Sequence, residues 1–233
     1  MRIIWIYLNL IFWTLLFGLS SFFTIIFTRK KEYFKFFGII WGKTLSFIFN
    51  IKLIVIGREN LLNKSNYIFV PNHASLIDIP LLLIAVNRYT VFIAKHELRK
   101  IPIFKSILDK AGFIFVNRKD NDSSINSINN LINDIKITPR SVGIFAEGTR
   151  TKDGNLQMFK KGAAIFGINT NLPIVPVAIS GTYKWSLKSL LNFKKSVVTI
   201  EFAEPIQTEN FSYNERKKLT ENIRKKIKGM IIE

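Results

Sequence analysis

The chain has 233 residues and carries 34 Lys and Arg against 16 Asp and Glu, a formal net charge of +18 that seeks anions: nucleic acid, anionic lipid headgroups, an acidic carrier or a phosphorylated substrate. Hydrophobic residues make up 48% and Phe alone numbers 21, which excludes a disordered basic tail and fits one packed domain with an N-terminal appendage. With no Cys and only His73 and His96, disulfides, thiolate metal sites and a cysteine nucleophile are excluded, and neither a catalytic metal nor a cofactor is expected.

From Ile3 to Phe27 the chain carries no formal charge and reads as nearly continuous Ile, Leu, Phe and Trp. That length suffices for a helix to cross a hydrocarbon layer of about 30 Å. No small-residue pattern closes it as a signal peptide would. Arg29, Lys30 and Lys31 follow, against Arg2 alone on the other flank, so the positive-inside rule puts the rest on the cytoplasmic face of the cell membrane. Phe34 to Phe49, interrupted by Lys35 and Lys43 and spaced by Gly38 and Gly42, suits an amphipathic helix lying in the interface and forming a hairpin with the first. The competing reading makes both segments core helices of a soluble protein. Residues 1–50 are accordingly taken as a membrane-associated helical region and 51–233 as the functional domain.

After Asn50 short apolar runs alternate with longer mixed segments, the pattern of an α/β fold with a mixed central sheet flanked by helices. Strands are predicted at Lys52 to Ile56, Tyr67 to Val70, Thr90 to Ala94, Phe113 to Val116, Ser141 to Ala146, Ile174 to Ala178 and Val197 to Phe202. Helices are predicted at Ile79 to Val86, Ile103 to Lys110, Ser123 to Lys136, Lys161 to Asn169 and Tyr213 to Met230. The third of these keeps Ile125, Ile128, Leu131, Ile132 and Ile135 at helical spacing within a run rich in Asn and Ser.

His73-Ala74-Ser75-Leu76-Ile77-Asp78 places an imidazole and a carboxylate five residues apart, between a strand end and a helix start. A turn of that length folds Asp78 back onto the ring, holding one nitrogen and leaving the other as a base, the orienting logic of a hydrolase triad without its serine. The spacing by itself better fits Asp78 as a helix cap beside an ordinary loop histidine. In Glu147-Gly148-Thr149-Arg150, a strand ends in a carboxylate, a flexible Gly and an Arg whose planar fork matches phosphate oxygens, or else forms a solvated turn. Arg118 ends another strand, and Pro173 and Pro176 in the run to Ala178 mark an edge strand or a shaped wall. Gly38 to Thr44 falls one residue short of a phosphate-binding loop, and no Gly-x-Ser-x-Gly elbow or dinucleotide fingerprint occurs.

Taken together, these segments resemble the glycerolipid acyltransferase family, specifically the bacterial 1-acyl-sn-glycerol-3-phosphate (lysophosphatidic acid) acyltransferases. Asn72 to Asp78 looks like the family's first block, Phe115 to Arg118 its second, Glu147 to Arg150 its third and Ile174 to Val177 its fourth. Ala94 to Leu98, Ile101-Pro102 and Phe159 to Gly162 also look like family segments, so the likeness runs from about Lys52 to Pro205. One departure is Ala146, where the family commonly has Pro.

The resemblance implies that His73, oriented by Asp78, deprotonates the sn-2 hydroxyl of lysophosphatidate as it attacks an acyl thioester, giving phosphatidate without an acyl-enzyme. It further implies that Arg150, with Arg118 or Lys95, binds the substrate phosphate. Gly148 and Thr149 belong to the same binding loop, Glu147 holds a glycerol hydroxyl or shapes the loop, Pro176 lines a channel, and amides near the His loop meet the oxyanion. The donor is acyl-CoA or acyl carrier protein. Two alternatives remain open: a different lysolipid acceptor, or a non-catalytic, membrane-tethered basic protein binding nucleic acid or lipid. Against the last, no nucleic-acid motif is present and the seven basic residues from Arg216 to Lys228 have no interleaved aromatics.

Overall fold

The computed structural model describes residues 2–61, 66–116, 129–135, 137, 140–183 and 196–232. In chain order the elements are α1 (Arg2–Thr28), α2 (Tyr33–Ile48), β1 (Ile51–Ile56), β2 (Ile68–Pro71), α3 (Asp78–Val86), β3 (Thr90–Lys95), α4 (Pro102–Lys110), β4 (Ile114–Val116) and a helical stretch α5 at 129–135. β5 (Ser141–Gly143), α6 (Gly162–Thr170), β6 (Ile174–Ser180), β7 (Ser196–Phe202) and α7 (Arg216–Met230) follow. The predicted α/β architecture is present: seven strands form one sheet in the order β1-β7-β6-β2-β5-β3-β4. β6, β2, β5, β3 and β4 run parallel to one another, while β7 is antiparallel to β6 and pairs in parallel with β1.

Strands read as continuous apolar runs because parallel sheets are covered on both faces. Successive side chains alternate between two cores. Phe69, Phe92, Val175, Val177 and Ile179 face one, with Leu81, Leu82 and Ala85 of α3 and Leu45 of α2. Ile68, Val70, Val91, Val142, Ile174 and Ala178 face the other, with Leu131, Ile132 and Ile135 of α5, Ala163, Ala164 and Phe166 of α6, and Leu219, Ile223 and Ile227 of α7. α3 therefore covers one face and α6 the opposite one, as right-handed crossovers require when the strand order reverses direction. β2 and β5 are neighbours whose chains leave for opposite faces. Their carboxyl ends form a topological switch point, where such a sheet usually places its crevice and ligand.

Two sequence expectations are corrected in detail. β5 stops at Gly143: Ile144 N–H still reaches the Phe69 carbonyl at 2.9 Å, but Gly148 N–H bonds the Phe145 carbonyl at 3.0 Å, so a turn replaces the last predicted strand residues. β6 is not an edge strand, since β2 and β7 flank it. Its Pro176 is tolerated because the carbonyl faces Ala203, just past the end of β7, accepting that N–H at 3.0 Å where regular pairing has ended. Gly38 and Gly42 of α2 are both buried against α3, while Phe36 and Phe47 on the same helix are exposed. Residues 123–128 and 136 of the predicted third helix lie outside the described residues.

α1 packs along α2 and α4, with Ile6 and Ile25 buried against the protein. Ile4, Leu8, Ile11, Phe12, Phe23 and Phe27 are each more than half exposed. This is not a buried core helix, and such an apolar face is far larger than a soluble surface ordinarily shows. Packing is continuous across position 50, since Leu45 and Phe49 share a core with Phe69.

The contact between α2 and α3 is tight at one point. A Cβ on Gly42 would lie 2.4 Å from the Pro80 carbonyl oxygen, which cannot move without shifting α3, whereas a Cβ on Gly38 would meet only the flexible Leu83 side chain at 3.1 Å. Gly42→Ala is expected to destabilise by about 1–3 kcal/mol through forced separation of the helices. Gly38→Ala is expected to be neutral or mildly stabilising, because Ala gains roughly 1 kcal/mol of helix propensity. Denaturant midpoints in detergent measure both, and equal effects at the two positions would refute this account.

Candidate active site

His73 follows the end of β2, and Asp78 is the first residue of α3. The intervening loop is short enough to wrap around a single oxygen: Asp78 Oδ2 accepts His73 Nδ1 at 2.7 Å and the N–H groups of Ala74 and Ser75 at 2.8 Å each. Asp78 is fully buried, so these donors offset the cost of removing its charge from water. Its side chain points back into the loop and makes no capping bond to α3, so the plain helix-cap reading does not hold. Oδ1 is buried without a hydrogen-bond partner among the described residues.

The ring is fixed on a second side by Phe145, whose centroid stacks at 4.0 Å with the planes 29° apart. Since a carboxylate only accepts, Nδ1 carries the hydrogen and Nε2 presents its lone pair. The His73 side chain keeps 15% of its surface exposed, so the ring is reachable from the crevice.

The loop after β5 is tied to this one by Glu147. Its Oε1 accepts His73 N–H at 2.7 Å and its Oε2 accepts Gln157 N–H at 3.1 Å. Thr151 N–H closes the ring of contacts on the His73 carbonyl at 2.9 Å. Arg150 is therefore one residue from a direct bond to the histidine backbone. It is exposed, and among the described residues its guanidinium has no hydrogen-bond or salt-bridge partner. Gly148 takes φ +75 at the end of the 145–148 turn, a conformation other residues rarely adopt. Ala146 occupies the second position of that turn, where Pro would preset the backbone. Here the turn is held instead by its own closing bond and by Lys160 N–H on the Ala146 carbonyl at 2.8 Å.

Thr149 is exposed beside Arg150. Lys95 ends β3 and pairs with Glu97 at 3.0 Å. Pro176 is buried within β6, next to Val70 of β2. Arg118 lies outside the described residues, two positions after the end of β4. The N–H groups of His73, Ala74 and Ser75 are already committed to carboxylates, so these three amides are not the oxyanion donors.

Sequence reasoning assigned no role to Asn72, whose buried amide continues the sheet beyond β2: its Oδ1 accepts Ile179 N–H at 2.7 Å and its Nδ2 donates to the Ile179 carbonyl at 2.9 Å. It also gave no role to Phe145, Gln157 or Thr151. The available signal for Asn72 was its place at the start of the block that runs to Asp78.

Burial pushes the Glu147 carboxyl above its ordinary value, opposed by the backbone bonds from His73 and Gln157. The folded state thus keeps this proton over a window in which the unfolded chain has lost it. Stability from the group is complete below the ordinary glutamate range, about pH 4, and is lost as pH rises through the elevated value. Glu147→Gln abolishes that dependence, so stability of the variant relative to the parent is expected to climb from about pH 4 toward neutrality and then level. Denaturant midpoints across this range check it, and a flat difference would contradict burial as the dominant cause.

The family described as Acyltransferase matches residues 52–180. A 1-acyl-sn-glycerol-3-phosphate acyltransferase of Borreliella burgdorferi is 36% identical over 184 residues, covering 76% of this chain and 70% of that protein. Another from Cocos nucifera is 32% identical over 175 residues, covering 75% of this chain; the chain spans only 56% of that relative's length. The crystal structure of the 1-acyl-sn-glycerophosphate (LPA) acyltransferase PlsC from Thermotoga maritima aligns with a TM-score of 0.76 at 28% identity, covering 99% of this chain and 98% of that one. Sequence and fold agree: the chain belongs to the acyltransferase family.

Proposed function

We propose that this protein transfers a fatty acyl group from an acyl thioester, acyl-CoA or acyl carrier protein, to the sn-2 hydroxyl of lysophosphatidate, giving phosphatidate at the cytoplasmic face of the cell membrane. The observation that carries this reading is the bond of 2.7 Å between His73 Nδ1 and the buried Asp78. It leaves Nε2 as a fixed acceptor in the crevice, one loop away from the exposed Arg150.

Nε2 takes the proton of the acceptor hydroxyl as its oxygen attacks the thioester carbonyl. Asp78 holds the imidazole in the required tautomer and stabilises the cation that forms. Collapse of the tetrahedral species expels the thiolate, which recovers the proton from His73. Arg150, with Lys95 or Arg118, grips the acceptor's phosphate. Glu147 acts as a cross-tie between loops in this scheme, because both of its oxygens are occupied by backbone N–H groups. Gly148 and Thr149 shape the edge of the binding loop, Pro176 supports the crevice wall, and the exposed apolar side of α1 supplies contact with the bilayer.

Purified protein incubated with lysophosphatidate and each labelled thioester in turn is expected to yield labelled phosphatidate. His73→Ala is expected to lower kcat by about 10²–10⁴-fold, the usual contribution of a positioned base. Parent-like turnover in that variant sinks the assignment. Arg150→Ala is expected to raise the acceptor KM by about 10–100-fold, as loss of a charge-assisted hydrogen bond implies. An acceptor KM that does not move would remove Arg150 from the phosphate site.

A further inference from the structure

Arg224 lies on α7, beyond the segment that the family match covers, yet its side chain reaches the loop beside the site. Its Nε donates to the Gln157 carbonyl and its Nη2 to the Leu156 carbonyl, each at 2.9 Å. Leu156 C=O and Gln157 N–H belong to one peptide group, whose other end donates to Glu147 Oε2. A single amide is therefore gripped by a cation at its oxygen and a carboxylate at its hydrogen. Each bond polarises the amide in the sense that strengthens the other. Residues 155–160 adopt no helix or strand, so this peptide depends on such partners for its place.

We propose that Arg224 is a positioning residue for acyl transfer, acting through the 156–157 peptide and Glu147 to hold the His73 backbone in its catalytic position. This inference rests on the function proposed above and adds a component to it. The fork of the guanidinium is essential, because two adjacent carbonyls must be bound in fixed geometry, which a single ammonium does not reproduce.

The test uses the full chain in detergent with Arg224→Ala, Arg224→Lys, Glu147→Gln, the double variant Arg224→Ala with Glu147→Gln, and Lys225→Ala on the exposed side of α7 as a charge control. Two readouts are taken: hydrogen exchange of peptides covering His73 and Gln157, and the split between kcat and acceptor KM. Arg224→Ala is expected to accelerate exchange at both segments and to lower kcat about 10–100-fold, the scale of a small misplacement, with acceptor KM within twofold. Arg224→Lys is not expected to restore either. In the Glu147→Gln background, removing Arg224 should cost less than a further twofold, since the tie is already cut. Unchanged exchange at His73, full rescue by Lys, multiplicative losses in the double variant, or an equal effect from Lys225→Ala would each overturn the proposal. A parent protein that transfers no acyl group would instead overturn the function itself, and the exchange data would then decide the tie alone.

Discussion

One carboxylate joins the two halves of the site. β2 and β5 lie side by side, but their chains diverge to opposite faces of the sheet, and beyond the bond from Ile144 N–H to the Phe69 carbonyl no ladder contact obliges the following loops to stay together. Glu147 supplies that obligation by accepting the His73 N–H and the Gln157 N–H on its two oxygens. Its burial works against ionisation, and its two backbone bonds work for it. The crevice is thus held open by the sheet topology and held in register by an electrostatic contact that only this geometry provides.

Asp78 performs the analogous task on a smaller scale. Three donors converge on Oδ2, two from backbone and one from the imidazole, so the same atom folds the loop and aims the ring. A residue that both shapes a loop and orients an imidazole cannot be replaced without losing both effects. Phe145 adds an apolar wall that restricts the ring plane without competing for Nε2.

Much of the fold was legible because parallel strands covered on both faces leave an unmistakable apolar pattern. β2 and β6 are buried along their whole length, and the helices between strands repeat at the expected spacing. What misled was local: a proline normally signals an edge, yet Pro176 sits in the sheet interior at a point where the neighbouring strand has run out. Gly38 and Gly42 showed spacing within an amphipathic helix but not its partner, because small residues four apart also permit two helices to approach closely. For the site, the spacing of His73 and Asp78 alone did not distinguish a pair from a helix cap, and the joint resemblance of four segments carried the reading. The bonds of Asn72 and Glu147 were not readable, because they join residues 107 and 74 positions apart through backbone groups that any sequence would offer.

That last point sets the hierarchy of the molecule. The His73 and Asp78 pair is a short-range feature encoded within six residues, whereas Asn72 and Glu147 make long-range bonds to main-chain atoms. α7 illustrates the extreme: its apolar face packs on the sheet, its outer face is basic, and Arg224 between them turns inward to the loop. A helix that looks like a solvated cationic surface is therefore mechanically continuous with the histidine on the far side of Glu147. The rigidity of that path, rather than the identity of the loop residues it crosses, decides how closely His73 keeps its geometry.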